Sequence, residues 1–190
     1  MRRIIEGDGL VARAFREDDA PALYAAVRES IQEISPYETW CHAGYSLRDA
    51  KDYVAWWTQA REAGTAFYYA IEDSMDGTLL GVCGLSDYST EHRRAMLGYW
   101  IRTPRTRRGL ATEAARRLCD AAFADLDLIR IGIGAPEGNA PSRRVAEKLG
   151  ALQEGVLRSW LILPQGPSDV ITYGLLRSEW QSLLPSDPKR

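Results

Sequence analysis

Between Ala111 and Phe123 the apolar residues recur at helical spacing. Ala111, Ala114, Ala115, Leu118, Cys119, Ala122 and Phe123 form one stripe, and Thr112, Glu113, Arg116, Arg117 and Asp120 fill the opposite face. A helix is predicted from Ala111 onward. Leu10–Phe15 alternates weakly and reads as a first strand. Asp18 or Asp19 can cap a helix over Ala20–Ile31, with Leu23, Tyr24 and Val27 facing inward. A second helix is predicted over Leu47–Glu62, started by Ser46 with Asp49 in the capping-box position. Ala66–Ile71 and Leu79–Leu85 flank the turn Asp73–Gly77 and read as a hairpin. Ala95–Ile101 and Leu128–Ile133 read as central strands, Asn139–Leu149 as a short helix ended by Gly150, and Leu152–Leu163 and Val170–Leu176 as two closing strands.

The order β-α-α-β-β-β-α-β-α-β-β predicts an α/β fold: one mixed, mostly antiparallel sheet flanked by helices. At 190 residues, with no internal repeat or boundary signal, residues 1–190 are expected to form a single domain. Its core should span about residues 10–180, with Ser186–Arg190 as a short frayed tail.

Ahead of the Ala111 helix stands Arg105-Thr-Arg-Arg-Gly109, two arginines leading into a glycine. The first amides of a helix lack intrahelical acceptors and sit at the positive end of its dipole, so this junction suits a phosphate. Gly109 lets the backbone approach a ligand without a Cβ in the way. The formal net charge of −2 and pI near 5.8 argue against a nucleic-acid binder held by a global positive field. The local arginines therefore point to a small anionic ligand. No apolar run has membrane-spanning length, and Met1–Asp8 carries no signal-type hydrophobic segment. Three scattered cysteines without metal-like spacing fit a reduced cytoplasmic protein. Cys83 and Cys119 fall on apolar faces, and Cys41 is expected nearer the surface. No metal-ligand cluster, nucleotide-hydrolase loop or nucleophile elbow is present in the sequence.

A second polar feature follows: Asn139-Ala-Pro-Ser142 at a strand-to-helix junction. Either residue can cap the helix; either can also offer a hydrogen bond to a ligand. With Leu97-Gly-Tyr-Trp-Ile101, Arg108-Gly-Leu-Ala-Thr-Glu-Ala114, Val145-Ala-Glu-Lys-Leu-Gly150, Glu154-Gly155, Asp169 and Glu179-Trp180, the ordered set resembles the GNAT superfamily of N-acetyltransferases. The branch it is most similar to contains the RimJ/RimL-like enzymes that acetylate ribosomal-protein N-termini. The resemblance runs from about Leu10 to Trp180.

The resemblance implies an enzyme that uses acetyl-CoA as acyl-donor cosubstrate and transfers acetyl to a primary amine by direct attack in a ternary complex. It implies that the strand ending at Ile101 splays from its neighbour to pair with the pantetheine arm, with Thr103 nearby. The backbone of Arg107, Arg108, Gly109, Leu110, Ala111 and Thr112 would hold the pyrophosphate. Asn139 would contact the pantetheine, and Ser142 would protonate the leaving thiolate. The acceptor is expected to be a protein or peptide N-terminus. A small-molecule amine (antibiotic, polyamine or amino acid) and a non-catalytic acyl-CoA sensor are the alternatives. A homodimer is compatible with the resemblance.

Met96 stands where relatives often carry an acid, Val156–Leu163 contains none, Thr106 opens the turn, and Ala151 follows Lys-Leu-Gly. The general base is therefore not carried over. Glu38 and His42 in the aromatic loop, and Asp87 at a strand end, are the candidates for it. Tyr37 and Trp40 are candidate walls of the acceptor pocket, and His92 is expected at the surface.

Overall fold

The computed structural model describes residues 1–183; the tail at Ser186–Arg190 lies outside them. Eight strands form one sheet in the order β1-β2-β3-β4-β5-β6-β8-β7. They are β1 (Ile4–Gly7), β2 (Leu10–Ala14), β3 (Phe67–Asp73), β4 (Leu79–Ser89), β5 (Arg94–Ile101), β6 (Arg130–Pro136), β7 (Leu152–Leu163) and β8 (Gly166–Leu176). All neighbours run antiparallel except β5 and β6. The helices are α1 (Ala20–Ile34), α2 (Leu47–Glu62), α3 (Leu110–Asp125), α4 (Ala140–Lys148) and α5 (Arg177–Leu183). None of the described helices is long and apolar enough to cross a membrane.

The helices divide between the two sheet faces as the apolar stripes require. Ala114, Ala115, Leu118, Cys119 and Ala122 of α3 pack on Leu10, Tyr69, Ile71, Cys83, Leu97 and Ile131. On the other face, Leu23, Ala26 and Val27 of α1 and Ala50 and Val54 of α2 cover Ala70, Leu79 and Val82. Side chains of β5 alternate accordingly. Tyr99 and Ile101 turn toward α3 and α4, and Trp100 toward α1 and α2.

Most predicted elements form where the spacing places them, with four instructive differences. β1 escapes the pattern because it has one buried residue, Ile5, on a four-residue edge strand. α5 closes the described fold and docks Trp180 on α3, its Nε1 donating to Asp120 Oδ1 at 2.7 Å. Asp19 precedes α1 but makes no side-chain cap; its carboxylate is taken by Arg13 (2.7 and 2.6 Å) and by the Arg16 amide (2.7 Å). Cys41 is buried, at 2% exposure, and burial pushes its thiol up to about 11. The expected box at the start of α2 forms as written. Ser46 Oγ accepts from the Asp49 amide, and Asp49 Oδ2 accepts from the Ser46 amide at 2.7 Å.

One irregularity positions everything that follows. β5 and β6 pair only over Arg94–Met96 and Arg130–Gly132. Beyond that point β5 stays with β4 out to Ile101, while β6 stays with β8 out to Pro136. Each strand follows the twist of its outer partner, and the two diverge. The sheet opens at its centre.

Candidate active site

Which backbone groups face this gap follows from alternation along β5. Ile129 donates to the Arg93 carbonyl on the β6 side, and Arg102 donates to Leu80 on the β4 side. The Leu97 carbonyl and the amides and carbonyls of Tyr99 and Ile101 therefore point into the opening, beyond the last pairing of Met96 with Gly132. A cleft of about 1000 Å³ runs along it. Tyr37 and Glu38 stand at one end, Tyr99, Trp100 and Ile101 along the wall, and Arg107 and the start of α3 at the other end.

The arginine turn supplies that far end. Arg107 and Gly109 both adopt left-handed backbone, at φ 63° and 81°, and Gly109 is the residue that caps α3. Among the described residues no acceptor reaches the amides of Leu110, Ala111 or Thr112; the first bond of the helix runs from Glu113 to the Gly109 carbonyl at 2.9 Å. Three open amides, the positive end of a 16-residue helix and the side chains of Arg107, Arg144 and Lys148 converge there. Arg108 borders an adjoining recess of about 310 Å³, shared with Gly109, Thr112 and Lys148. Thr103 lines the main cleft, but its hydroxyl donates to Glu33 at 3.0 Å and its amide to Ser30 Oγ at 2.9 Å. It ties the turn to α1.

Asn139 and Ser142 also line the cleft, and the structure separates their roles. Asn139 Oδ1 accepts from the Ser142 amide at 3.1 Å and is the cap of α4. The Ser142 hydroxyl is left out of the cap. It donates to Tyr99 Oη at 3.4 Å, while Tyr99 donates to the Ser142 carbonyl at 3.0 Å. Burial pushes the Tyr99 phenol up to about 12, so it stays neutral in this pair. In the sequence Tyr99 is one more residue of an apolar strand. Only the pairing across the gap shows that its hydroxyl meets α4.

At the opposite end, the loop between α1 and α2 closes over the cleft. Tyr37 Oη donates to the Gly138 carbonyl at 3.2 Å, and Gln165 Nε2 donates to the Pro36 carbonyl at 3.0 Å. Glu38 lines the cleft between these contacts, partly buried, with Trp40 Nε1 donating to its Oε2 at 3.0 Å. Burial raises the Glu38 carboxyl above its ordinary range, and the Trp40 bond pulls it part of the way back. Trp40 backs the wall, its ring 5.3 Å from Tyr53 and 6.0 Å from Trp100. His42 is exposed, 4.0 Å from Asp49, and Asp87 is exposed at an irregular point of β4. Neither lines the cleft, so of the three candidate bases the fold brings only Glu38 to it.

A sheet parted at its centre, open amides and cations on one side and a carboxylate on the other, defines a group-transfer enzyme of the GNAT class. The chain belongs to that family: the Acetyltransferase (GNAT) domain matches residues 10–152. It is an acyltransferase by family, and RimL and RimJ enzymes are among the solved structures that share its fold. "Putative ribosomal N-acetyltransferase YdaF" of Bacillus subtilis (strain 168) is 39% identical over 106 residues, covering 56% of this chain and 58% of that protein. Uncharacterized N-acetyltransferase YoaA of the same organism is 28% identical over 177 residues, covering 93% and 98%. RimL, a ribosomal L7/L12 alpha-N-protein acetyltransferase solved with coenzyme A, superposes with a TM-score of 0.87 over 93% of this chain and 99% of its own. At 21% identity that likeness is one of fold.

Proposed function

We propose that this protein transfers the acetyl group of acetyl-CoA to the free amine of a protein or peptide N-terminus, by direct attack in a ternary complex. The observation that carries the reading is the gap between β5 and β6. It joins an amide-lined cationic end to an acid-bearing end through the thickness of the sheet.

The residues present fit such a donor. The open amides of Leu110, Ala111 and Thr112, with Arg107, Arg108 and Lys148 around them, suit a pyrophosphate. The outward backbone groups of Leu97, Tyr99 and Ile101 suit the amides of an extended pantetheine arm laid where a strand is missing. When bound, the thioester supplies an activated carbonyl and a thiolate leaving group. Ser142, held by Tyr99, stands beside the gap to protonate that thiolate. Glu38, with its raised pKa, receives the proton of the attacking amine, directly or through water. Holding both partners across one opening supplies the proximity that direct transfer requires. The names of the relatives favour a protein acceptor.

Calorimetry with acetyl-CoA is the first test, followed by a panel of N-terminal peptides and small amines read by product mass. Acetyl-CoA is expected to bind, and Gly109→Glu to weaken binding by about tenfold or more, since it adds left-handed strain and a negative charge at the helix start. A wild-type chain that does not bind acetyl-CoA even at low salt sinks the reading. Acetylation of small amines alone rejects the protein acceptor in favour of a small-molecule one.

A further inference from the structure

Tyr68, Gly84 and Gly98 stand in one row across β3, β4 and β5, because the register pairs Tyr68 with Gly84 and Gly84 with Gly98. The Tyr68 ring lies flat along that row. A Cβ on Gly84 would collide with the ring, and one on Gly98 would come within 3.1 Å of the phenol oxygen. Glycine inside a strand weakens it, so two in register mark a place where something must approach the backbone closely. Here it is this ring. Trp57 of α2 stacks on its other side at 3.8 Å and 13°. The side chain is clamped between sheet and helix, and its hydroxyl is carried two strands away from its own.

The next position along the row would belong to β6, but pairing of β5 with β6 has already ended at Met96 and Gly132. The Tyr68 oxygen is thus delivered over Gly98 of β5, the strand that borders the gap, just behind the residues that line the cleft and on the face that holds Trp100 and the α1–α2 loop. Ser142 and Tyr99 occupy the other face. Burial pushes the Tyr68 phenol up to about 12, a hydrogen bond with Ser86 draws it part of the way back, and the charges of Glu38 and Asp87 further disfavour the phenolate. The group stays a neutral hydroxyl at any working pH.

We infer that Tyr68 is an acceptor-holding residue: its hydroxyl accepts an N–H of the incoming primary amine and sets it over the gap beside Glu38. The inference rests on the acetyltransfer reading above and adds a residue to its acceptor side. A neutral phenol suits this task. It holds the uncharged amine that attacks, and it adds no second negative charge to favour the unreactive ammonium. The two glycines are explained by the same requirement, since a side chain at either would displace the hydroxyl.

Tyr68→Phe keeps the ring, the stack and the fit against both glycines while removing one oxygen. Steady-state kinetics with the best N-terminal peptide should show the acceptor KM raised about tenfold, the worth of one hydrogen bond. The KM for acetyl-CoA and the melting temperature should stay at wild-type values. Gly98→Ala keeps the phenol but crowds its oxygen at 3.1 Å, and should reproduce the acceptor effect. An acceptor KM within twofold of wild type in Tyr68→Phe, or an equal rise in the acetyl-CoA KM, overturns the inference and leaves the acetyltransfer reading standing. A wild-type enzyme inert toward every amine overturns both.

Discussion

Glu38 sits where water reaches it only in part, and its carboxyl is raised in consequence. The sign of that shift has two effects. As a base, Glu38 works only when ionised, so kcat/KM should climb with pH through the raised pKa and fall as pH drops through it. As a contributor to stability it runs the other way. The native state favours the protonated form, so its stabilisation is fully present below the unfolded pKa and lost as pH rises through the folded one. Glu38→Gln should therefore remove the acidic limb of the pH–rate profile and lower the rate on the order of a hundredfold, while leaving the melting temperature at neutral pH equal or higher. A variant that retains the acidic limb would place the base elsewhere, in a bound water or another group. The sequence presented Glu38, His42 and Asp87 as equals, because a side chain's solvent exposure and direction are set by neighbours far along the chain.

α4 shows what an element decides. The sequence offers two residues able to cap it, Asn139 and Ser142, and pattern alone offers no way to choose. In the fold Asn139 takes the cap, which frees the Ser142 hydroxyl to face Tyr99 across the gap. The two alanine variants should accordingly part company. Asn139→Ala is expected to cost about 1 kcal/mol of stability, read by chemical denaturation. Ser142→Ala should leave stability nearly unchanged and acetyl-CoA affinity within about tenfold, while lowering turnover on the order of a hundredfold. Unchanged turnover in Ser142→Ala would remove it from the chemistry. The start of α3 was more legible. Left-handed backbone at Gly109 and open helix amides are local properties, and both follow from the glycine and the apolar stripe behind it.

The whole molecule is held at its N-terminal side by a buried ionic knot that no local pattern announces. Arg13 of β2, whose side chain is 8% exposed, bonds Asp19 before α1 and Glu72 of β3. By sequence Asp18 and Asp19 are both able to cap α1; the sheet claims Asp19 instead. Arg13→Met would leave two carboxylates facing each other in a region with little water. A loss of about 3–5 kcal/mol is expected. For a chain of this size that lowers the melting temperature on the order of 10 °C, measurable by calorimetry. A drop of only a degree or two would show that the knot relaxes into solvent.

By itself the sequence determined what repeats at short range: the helical stripes of α1 to α4, the strand runs, the turn at Gly109 and the ordered motifs from Leu97 to Gly155. Those depend on neighbours within a turn or two, so spacing suffices to read them. The tertiary structure alone decided the rest. It set where β5 parts from β6, after Met96, because each follows a different outer partner; that the two splay at all is what the family resemblance implies. It brought Tyr99 to Ser142, kept Glu38 at the cleft while sending His42 and Asp87 outside it, and laid Tyr68 over two glycines from other strands. Each of these depends on register and on which strands commit to which, and register is a relation between distant segments that no single segment encodes.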